Sequence, residues 1–576
     1  MLAKVRTFLE ERTKLPSLLE RHFDERIAGG ASWAHVFGTA IVLLFAAEAF
    51  TGTLLMVTYA PSVKDAWSSV FFIEHRETMG WFVRGLHASV GNAMLLVVSA
   101  YMLQIVLYGA YKRPREVTWW LVLGLVALVL GFLITGYRLT WDQRTFWALK
   151  VEVNITQSMP VLGDAMARML LGGAEIGQAT LTRLHALHVF VLPLAFVAVL
   201  VFKHYLVRLH GRAPAPAAEG APAEPAWPGQ VVRNVAFAVL VLGASAAYVV
   251  MHGGEPLDAP AEPDRFYPAR PEWFLLPLYK LRMLVPPELE VLVTGVLPVL
   301  LGGFLFGLPF VDRGEVRSVS KRIHWIGAVA GVFVVSAVLV GWSDHVDASD
   351  KKHQAHLAEA RERAERSVEL AMRGVPPEGP VAMMMNDPMT RGADVYKQFC
   401  TSCHVLDGEG ERKSPDHDGF GSRPWILAML KDPKSDHFFG KVEHDEKMPS
   451  QSKLGDEALA EVTEFMFSLG REEQDPPVNA ALVEKGADVF EKKCVKCHMY
   501  EGEGDDLDVG GPDLTVWASR TWIMRQVRSP GGATQYGDLH KMPAFDDQLD
   551  THDQWMVAGF LRQQRFRTAG VATGAK

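Results

Sequence analysis

All four cysteines of this 576-residue chain fall in two Cys-x-x-Cys-His motifs, Cys400-Thr401-Ser402-Cys403-His404 and Cys494-Val495-Lys496-Cys497-His498. Each motif offers two thiols for thioether bonds and an imidazole for an iron, the pattern of covalent c-type haem attachment. A thioether sulfur on the far side of the iron would raise its potential. Met448-Pro449 and Met542-Pro543 each stand 44 residues after their motif histidine. Gly392-Ala393-Asp394-Val395 returns as Gly486-Ala487-Asp488-Val489 at an offset of 94, as do both motifs and both methionines, so the region is an internal duplication. The expected cofactors here are two covalent c haems with axial pairs His404/Met448 and His498/Met542. A zinc site would need two further ligands per motif and would not explain the methionines. Met383, Met384 and Met385 read as linker or packing residues, and no cysteine remains for a disulfide.

The elements that must carry this chemistry divide the chain in two. A helix needs about 20 apolar residues to cross a bilayer core. Runs of that length occur near 33–58, 81–109, 117–136, 181–206, 231–251, 288–310 and 324–343. Buried helices of a large soluble protein are the alternative, and seven such runs argue against it. Basic loops at Lys112-Arg113-Pro114-Arg115, Lys203 to Arg212 and Arg313 to Arg322 share one face if the N-terminus is cytoplasmic. Seven spans then put the C-terminal half outside, the side of bacterial membranes on which c haems are attached. Residues 1–350 carry 29 basic and 28 acidic side chains, and residues 351–576 carry 29 and 38. An acidic outer half favours basic partners over nucleic acid.

The expected fold is all-α: a seven-span bundle followed by two small helical haem domains. The boundaries read as a charged amphipathic surface segment at 1–32, a four-span bundle at 33–210, and a Pro/Ala-rich linker at 211–230 that cannot pack a core. A three-span region follows at 231–345, then a charged, solvated helical linker at 346–385 and haem domains at 386–473 and 480–570.

Within the spans, Arg84-Gly85-Leu86-His87, Gly136-Tyr137-Arg138-Leu139-Thr140-Trp141-Asp142-Gln143, Thr182-Arg183-Leu184-His185-Ala186-Leu187-His188 and Pro271-Glu272-Trp273-Phe274 stand in order. Together they resemble cytochrome b of bc-type complexes over residues 30–345, in the split four-plus-three arrangement. The C-terminal repeats resemble class I cytochromes c. The resemblance implies that His87 and His188 hold an outer b haem. Arg84 and Arg183 would meet its propionates, and Gly52 and Gly136 would let the macrocycle lie against the backbone. It also implies a homodimer.

Family members carry a second, inner b haem nearly four helical turns away, about 14 residues or 21 Å along each helix. Here Tyr101 and Lys203 occupy the two ligand positions, and Val122 occupies a position where the family keeps a glycine; only Gly38 remains of that set. The expectation is one b haem, with two possible if His204 rescues the site after a helix slip. Lys203 has a second reading, snorkelling to the headgroups.

Pro271-Glu272-Trp273-Phe274 resembles the quinol-oxidation motif, with Phe274 where tyrosine is usual and Glu272 as the proton acceptor. Without that context it reads as a loop glutamate before an interfacial aromatic anchor. Ser158 to Gly163 resembles a short helix lining the same pocket, and Thr140 replaces the usual proline before Trp141. The resemblance implies a respiratory, proton-translocating quinol:cytochrome c oxidoreductase subunit in the bacterial inner membrane. It would pass electrons from quinol, with a separate Rieske iron–sulfur protein, through the c haems to a soluble cytochrome c or terminal oxidase. The rival readings are a non-catalytic conduit or accessory subunit, and a quinone-linked wire serving another redox enzyme.

Overall fold

The computed structural model describes residues 2–13, 25–157, 159, 163–216, 221–442, 448–473, 475–504 and 511–567. Of the Ser158–Gly163 stretch, Ser158 and Pro160 to Leu162 therefore lie outside the described residues, as do parts of the N-terminal and Pro/Ala-rich segments. The chain forms two compact units, residues 1–381 and 382–576.

Among the described residues of the first unit seven helices are long and apolar enough to cross a membrane: Phe37–Thr58, Gly80–Tyr108, Glu116–Thr140, Gln178–His210, Gly229–His252, Pro287–Val311 and Ser320–Ser349. A helix closes all its backbone hydrogen bonds within itself, the condition a chain must meet in hydrocarbon. The second span is the hub and packs against the first, third, fifth and seventh; the third packs against the fourth. Ile41, Leu44, Val98, Leu125, Val129 and Phe196 knit the first four spans into one core. The fourth span departs from α geometry at Leu187–Val191, where one turn widens to a π-helix immediately before Pro193. Proline has no N–H to give the preceding turn, and such bulges recur where a helix is shaped for function. His188 sits in this turn.

Two connecting segments are more ordered than their composition suggests. Ala223–Pro225, inside the Pro/Ala-rich linker, pairs antiparallel with Arg26–Ala28, and Arg212 forks onto Glu25. Backbone pairing needs no apolar side chains, so a segment that cannot build a core is still tethered. The helix Lys351–Arg373 is not free in solvent either. Arg363 reaches Glu262, Glu359 reaches Arg265, and His353, Ser367 and Ala371 are buried.

The second unit contains both Cys-x-x-Cys-His motifs and a single apolar core. Each repeat opens with a helix before its motif (Ala393–Phe399, preceded by the turn Pro388–Gly392, and Ala480–Lys493) and closes with another (Asp456–Leu469 and Thr551–Gln563). The pairing is crossed. The opening segment of the first repeat packs on the closing helix of the second, and the opening helix of the second on the closing helix of the first. Glycines mark both crossings. A Cβ on Gly392 would collide with the Met556 carbonyl, and one on Gly486 with the Glu461 carbonyl. Tyr396 meets Phe560 and Phe490 meets Phe465 in equivalent ring contacts. Where each repeat reads in sequence as a self-contained domain, the fold interlocks the two.

Candidate functional site

His87 comes from the second span and His188 from the π turn of the fourth, with ring centroids 6.2 Å apart. Thr51 and Thr135 set the tautomer of each ring. The Thr51 hydroxyl donates to the Ala47 carbonyl at 2.8 Å, leaving its lone pairs to accept from His87 Nδ1 at 2.9 Å. Thr135 repeats this with the Gly131 carbonyl at 2.7 Å and His188 Nδ1 at 3.0 Å. Both Nδ1 atoms then carry the proton, and both Nε2 lone pairs are free for a metal, the outer-shell arrangement that metal-binding histidines use. A metal bonded to one nitrogen of each ring at about 2.0–2.1 Å sets the ring centres roughly 6 Å apart.

Glycines make room beside both rings. A Cβ at Gly136 would lie 2.7 Å from His188 Cε1, and one at Gly52 would lie 3.1 Å from His87 Cε1. The rings open into a cavity of ≈ 330 Å³ walled by Phe45, Met94, Val129 and Phe132, with Arg84, Tyr137 and Glu255 at one end. A flat apolar macrocycle with acidic substituents and a six-coordinate iron fits this wall, these two nitrogens and the buried Arg84. Arg84 bonds Glu74 and the Glu255 carbonyl. Arg183 lies apart from the cavity. It is exposed, and its guanidinium reaches the Arg168 and Met169 carbonyls near the C-terminal end of the short helix Gly163–Leu171, where a cation meets the negative end of the helix dipole.

About four helical turns further along the same spans, buried side chains stand at the corresponding positions. Lys203 is buried, with its ammonium 4.8 Å from the centre of the Tyr101 ring and 3.5 Å from where a Gly38 Cβ would stand. It turns inward to an aromatic face and does not snorkel. Val122 is fully buried beside Met102, Tyr111 and Trp119. His204 points outward from the bundle and is exposed.

The loop between the fifth and sixth spans brings Pro271-Glu272-Trp273-Phe274 against this framework. Trp273 Nε1 donates to Asn92 Oδ1 at 2.7 Å, and Asn92 Nδ2 donates to the Tyr137 hydroxyl at 2.7 Å. Pro271 is buried, and Phe274 packs on the four-span core. Glu272 is thereby held with its carboxylate 3.6 Å from Arg138, which also pairs with Glu152. Burial pushes the Glu272 carboxyl above the usual range, against the pull of Arg144 and Arg138. The same burial raises Asp258 to about 6. Trp141, after Thr140, adopts a left-handed backbone at φ 51°, and Asp142 caps the next turn through Thr145.

In the second unit the motif imidazoles repeat the same logic. His404 Nδ1 donates to the Pro415 carbonyl at 2.8 Å and His498 Nδ1 to the Pro512 carbonyl at 3.1 Å. Burial lowers both imidazoles below their ordinary range, so they are neutral with Nε2 available. Burial holds the Cys400 thiol up at about 12 and the Cys494 thiol at about 11. Zinc requires thiolates, and among the described residues neither Cys-x-x-Cys pair joins a cluster of three or more metal-ligating groups. The donor set fits thioether attachment. Met448 and Met542 both lie against the unit's core, and Met542 Sδ accepts from Gln526 Nε2 at 3.6 Å.

Reading the motifs alone misses Thr51, Thr135, Arg138, Arg144, Asn92 and Glu48. The two threonines had a signal, since each immediately precedes the glycine beside its histidine, in Thr51-Gly52 and Thr135-Gly136.

Comparisons with known proteins follow this division. Residues 92–260 match the family model described as Cytochrome b(N-terminal)/b6/petB and residues 262–357 that of Cytochrome b(C-terminal)/b6/petD. Residues 389–470 match Cytochrome c, and residues 481–561 match Cytochrome C oxidase, cbb3-type, subunit III. The chain is 34% identical to cytochrome b6 of Synechococcus elongatus over 206 residues, 36% of this chain and 95% of the relative. Cytochrome b6 of Auxenochlorella protothecoides is 32% identical over the same shares. Among solved structures, a chain of a "Hyperthermophilic respiratory Complex III" superposes with a TM-score of 0.51 at 26% identity, covering 58% of this chain and 90% of that one.

Proposed function

Since this chain belongs to the cytochrome b/b6 family and carries two cytochrome c domains in the same polypeptide, we propose that it is the quinol-oxidising, electron-transfer subunit of a bc-type complex with a single b haem. It is a multi-pass membrane protein and a redox subunit of complex III kind. The observation that carries the finer reading is the contrast within one bundle. One level holds two tautomer-fixed imidazoles and a glycine-lined cavity; the next is filled by Lys203, Tyr101 and Val122.

When bound, the haems supply one-electron acceptance and donation. The protein's own groups do the rest. His87 and His188 would hold the b haem iron, Arg84 would meet its acidic substituents, and Gly52 and Gly136 would leave room for the macrocycle. His404 with Met448 and His498 with Met542 would serve the c haems, which Cys400, Cys403, Cys494 and Cys497 would attach. Quinol oxidation releases protons with electrons. Glu272, buried beside Arg138 and Arg144 with its carboxyl raised by that burial, is the base that takes a quinol proton. Pro271, Trp273 and Phe274 fix its loop through Asn92 and the core.

The first electron of quinol would go to a separate Rieske iron–sulfur protein, and the c haems held by the two Cys-x-x-Cys-His motifs would link it to a soluble cytochrome c or terminal oxidase. Without an inner b haem the second leaves outward as well or through the neighbouring protomer of a homodimer. The positive-inside pattern supports an N-terminus in the cytoplasm of a bacterium and haem c domains in the periplasm. The test is quinol oxidation by the purified complex. Quinol-driven reduction of both c haems, with an iron–sulfur protein co-purifying and turnover unaffected by inner-site quinone inhibitors, supports the reading. Intact haems that quinol fails to reduce would instead support an electron conduit serving another enzyme.

A further inference from the structure

The first span contains one charged residue, Glu48, at its middle in an otherwise apolar helix. An ionisable side chain at such a place is costly, and it faces the bundle interior. Glu48 Oε2 lies 2.8 Å from His87 Nδ1, with the side chain 13% exposed. The Thr51 hydroxyl lies 2.9 Å from the same nitrogen. His188 has its threonine at 3.0 Å from Nδ1 and a hydrogen bond to the Phe132 backbone, and among the described residues no carboxylate matches Glu48. The two imidazoles across the cavity are therefore inequivalent.

The second carboxylate oxygen, Oε1, is buried and has no hydrogen-bond partner among the described residues. A residue kept for packing or for one hydrogen bond would not need that oxygen. Glutamine has the same shape, can accept from Nδ1 through its own oxygen, and costs less to bury. What glutamate adds is negative charge at the back of the imidazole. A carboxylate accepting from Nδ1–H strengthens that bond and raises the basicity of the nitrogen that faces the metal. A more basic axial nitrogen favours the oxidised iron, and hydrogen bonding around the ligand is one of the protein's levers on potential.

We infer that Glu48 is a positioning residue that makes His87 the stronger of the two axial donors and holds the b haem at a lower potential than the Thr51 contact alone would set. This rests on His87 being a b haem ligand. Thr51 competes for the same proton, so the two neighbours push in opposite directions: removing the charge weakens His87 as a donor, and removing the hydroxyl leaves Nδ1–H wholly to Glu48.

The experiment is a redox titration of the b band in the intact complex, with the covalent c haems as internal standard, for the parent protein, Glu48→Gln, Thr51→Val and His87→Ala. The expected result is a positive shift of the b midpoint in Glu48→Gln and a negative shift in Thr51→Val, each read on the b haem that the variant retains. No shift in Glu48→Gln, or shifts of the same sign in both variants, overturns the inference. Should Glu48→Gln purify without its b haem, Thr51→Val decides: a negative shift supports the inference, and no shift or a positive one overturns it. His87→Ala separates the premise from the inference. A b haem that survives it with unchanged spectrum sinks the ligand assignment. Loss of b haem there beside an unmoved midpoint in Glu48→Gln sinks only the role of Glu48.

Discussion

Gly136→Ala should expel the b haem, and the geometry gives the size of the effect. The added Cβ would stand 2.7 Å from His188 Cε1 and 3.3 Å from both ring nitrogens. Carbon atoms settle at about 3.5–4.0 Å, so the ring must retreat by roughly 1 Å. It has little freedom to do so, because Thr135 holds Nδ1 and Phe132 stands edge-on at 5.8 Å. Overpacking of this kind costs about 1–3 kcal/mol, which corresponds to about 5- to 150-fold in affinity for whatever the ring binds. Gly52→Ala sits 3.1 Å from His87 Cε1 and should cost less. The assay is the ratio of b to c haem in purified complex, because covalent c haems survive purification and count the chains. The expected order of b content is parent, then Gly52→Ala, then Gly136→Ala. A parental ratio and spectrum in Gly136→Ala would refute the placement of His188, and so would a larger loss from Gly52→Ala.

The other expectations concern the proton, the second unit and the axial sulfurs. Glu272→Gln should slow quinol oxidation strongly at unchanged haem content. Burial raises this carboxyl, so it holds its proton to higher pH than a free glutamate and accepts one only when ionised. The parent rate should therefore rise with pH through that raised value, and the variant should lose this acid limb; an identical pH profile would mean another group takes the proton. Met542→Ala should abolish the weak sulfur-to-iron band of one c haem with both haems still attached, and full band intensity would remove Met542 as a ligand. Phe560→Ala should destabilise the first haem motif, because Phe560 packs on Tyr396 across the repeat boundary. With Cys494 and Cys497 replaced by alanine so that only the first c haem remains, thermal unfolding at its Soret band should show a loss of about 3–5 kcal/mol. An unchanged melting curve would mean each repeat closes on itself.

Much of this was legible because the chemistry sets long, regular spacings. Seven apolar runs, two Cys-x-x-Cys-His motifs at one offset and a proline-containing loop motif between the fifth and sixth spans are properties of the chain as written. The crossed pairing of the c repeats was not. A duplication gives each opening helix two equivalent closing helices, and sequence similarity between copies carries no sign of which one it meets. Glu48 was missed for another reason. Its partner His87 is 39 positions away on the next span, and the contact exists only once the two helices pack. Arg183 turns to the Arg168 and Met169 carbonyls, because a matching motif position does not determine where a long, flexible side chain goes. The Pro/Ala-rich segment was underestimated because composition reports on side-chain burial and is blind to backbone pairing with Arg26–Ala28.

The central claim is that the level of the bundle occupied by Lys203, Tyr101 and Val122 has lost its haem while the level of His87 and His188 keeps one. The pyridine haemochrome ratio of b to c haem on the pure subunit tests it most directly. One b haem for every two c haems, with a single b-type redox transition, is the expected result. Two b haems for every two c haems, or two resolved b transitions, would contradict it.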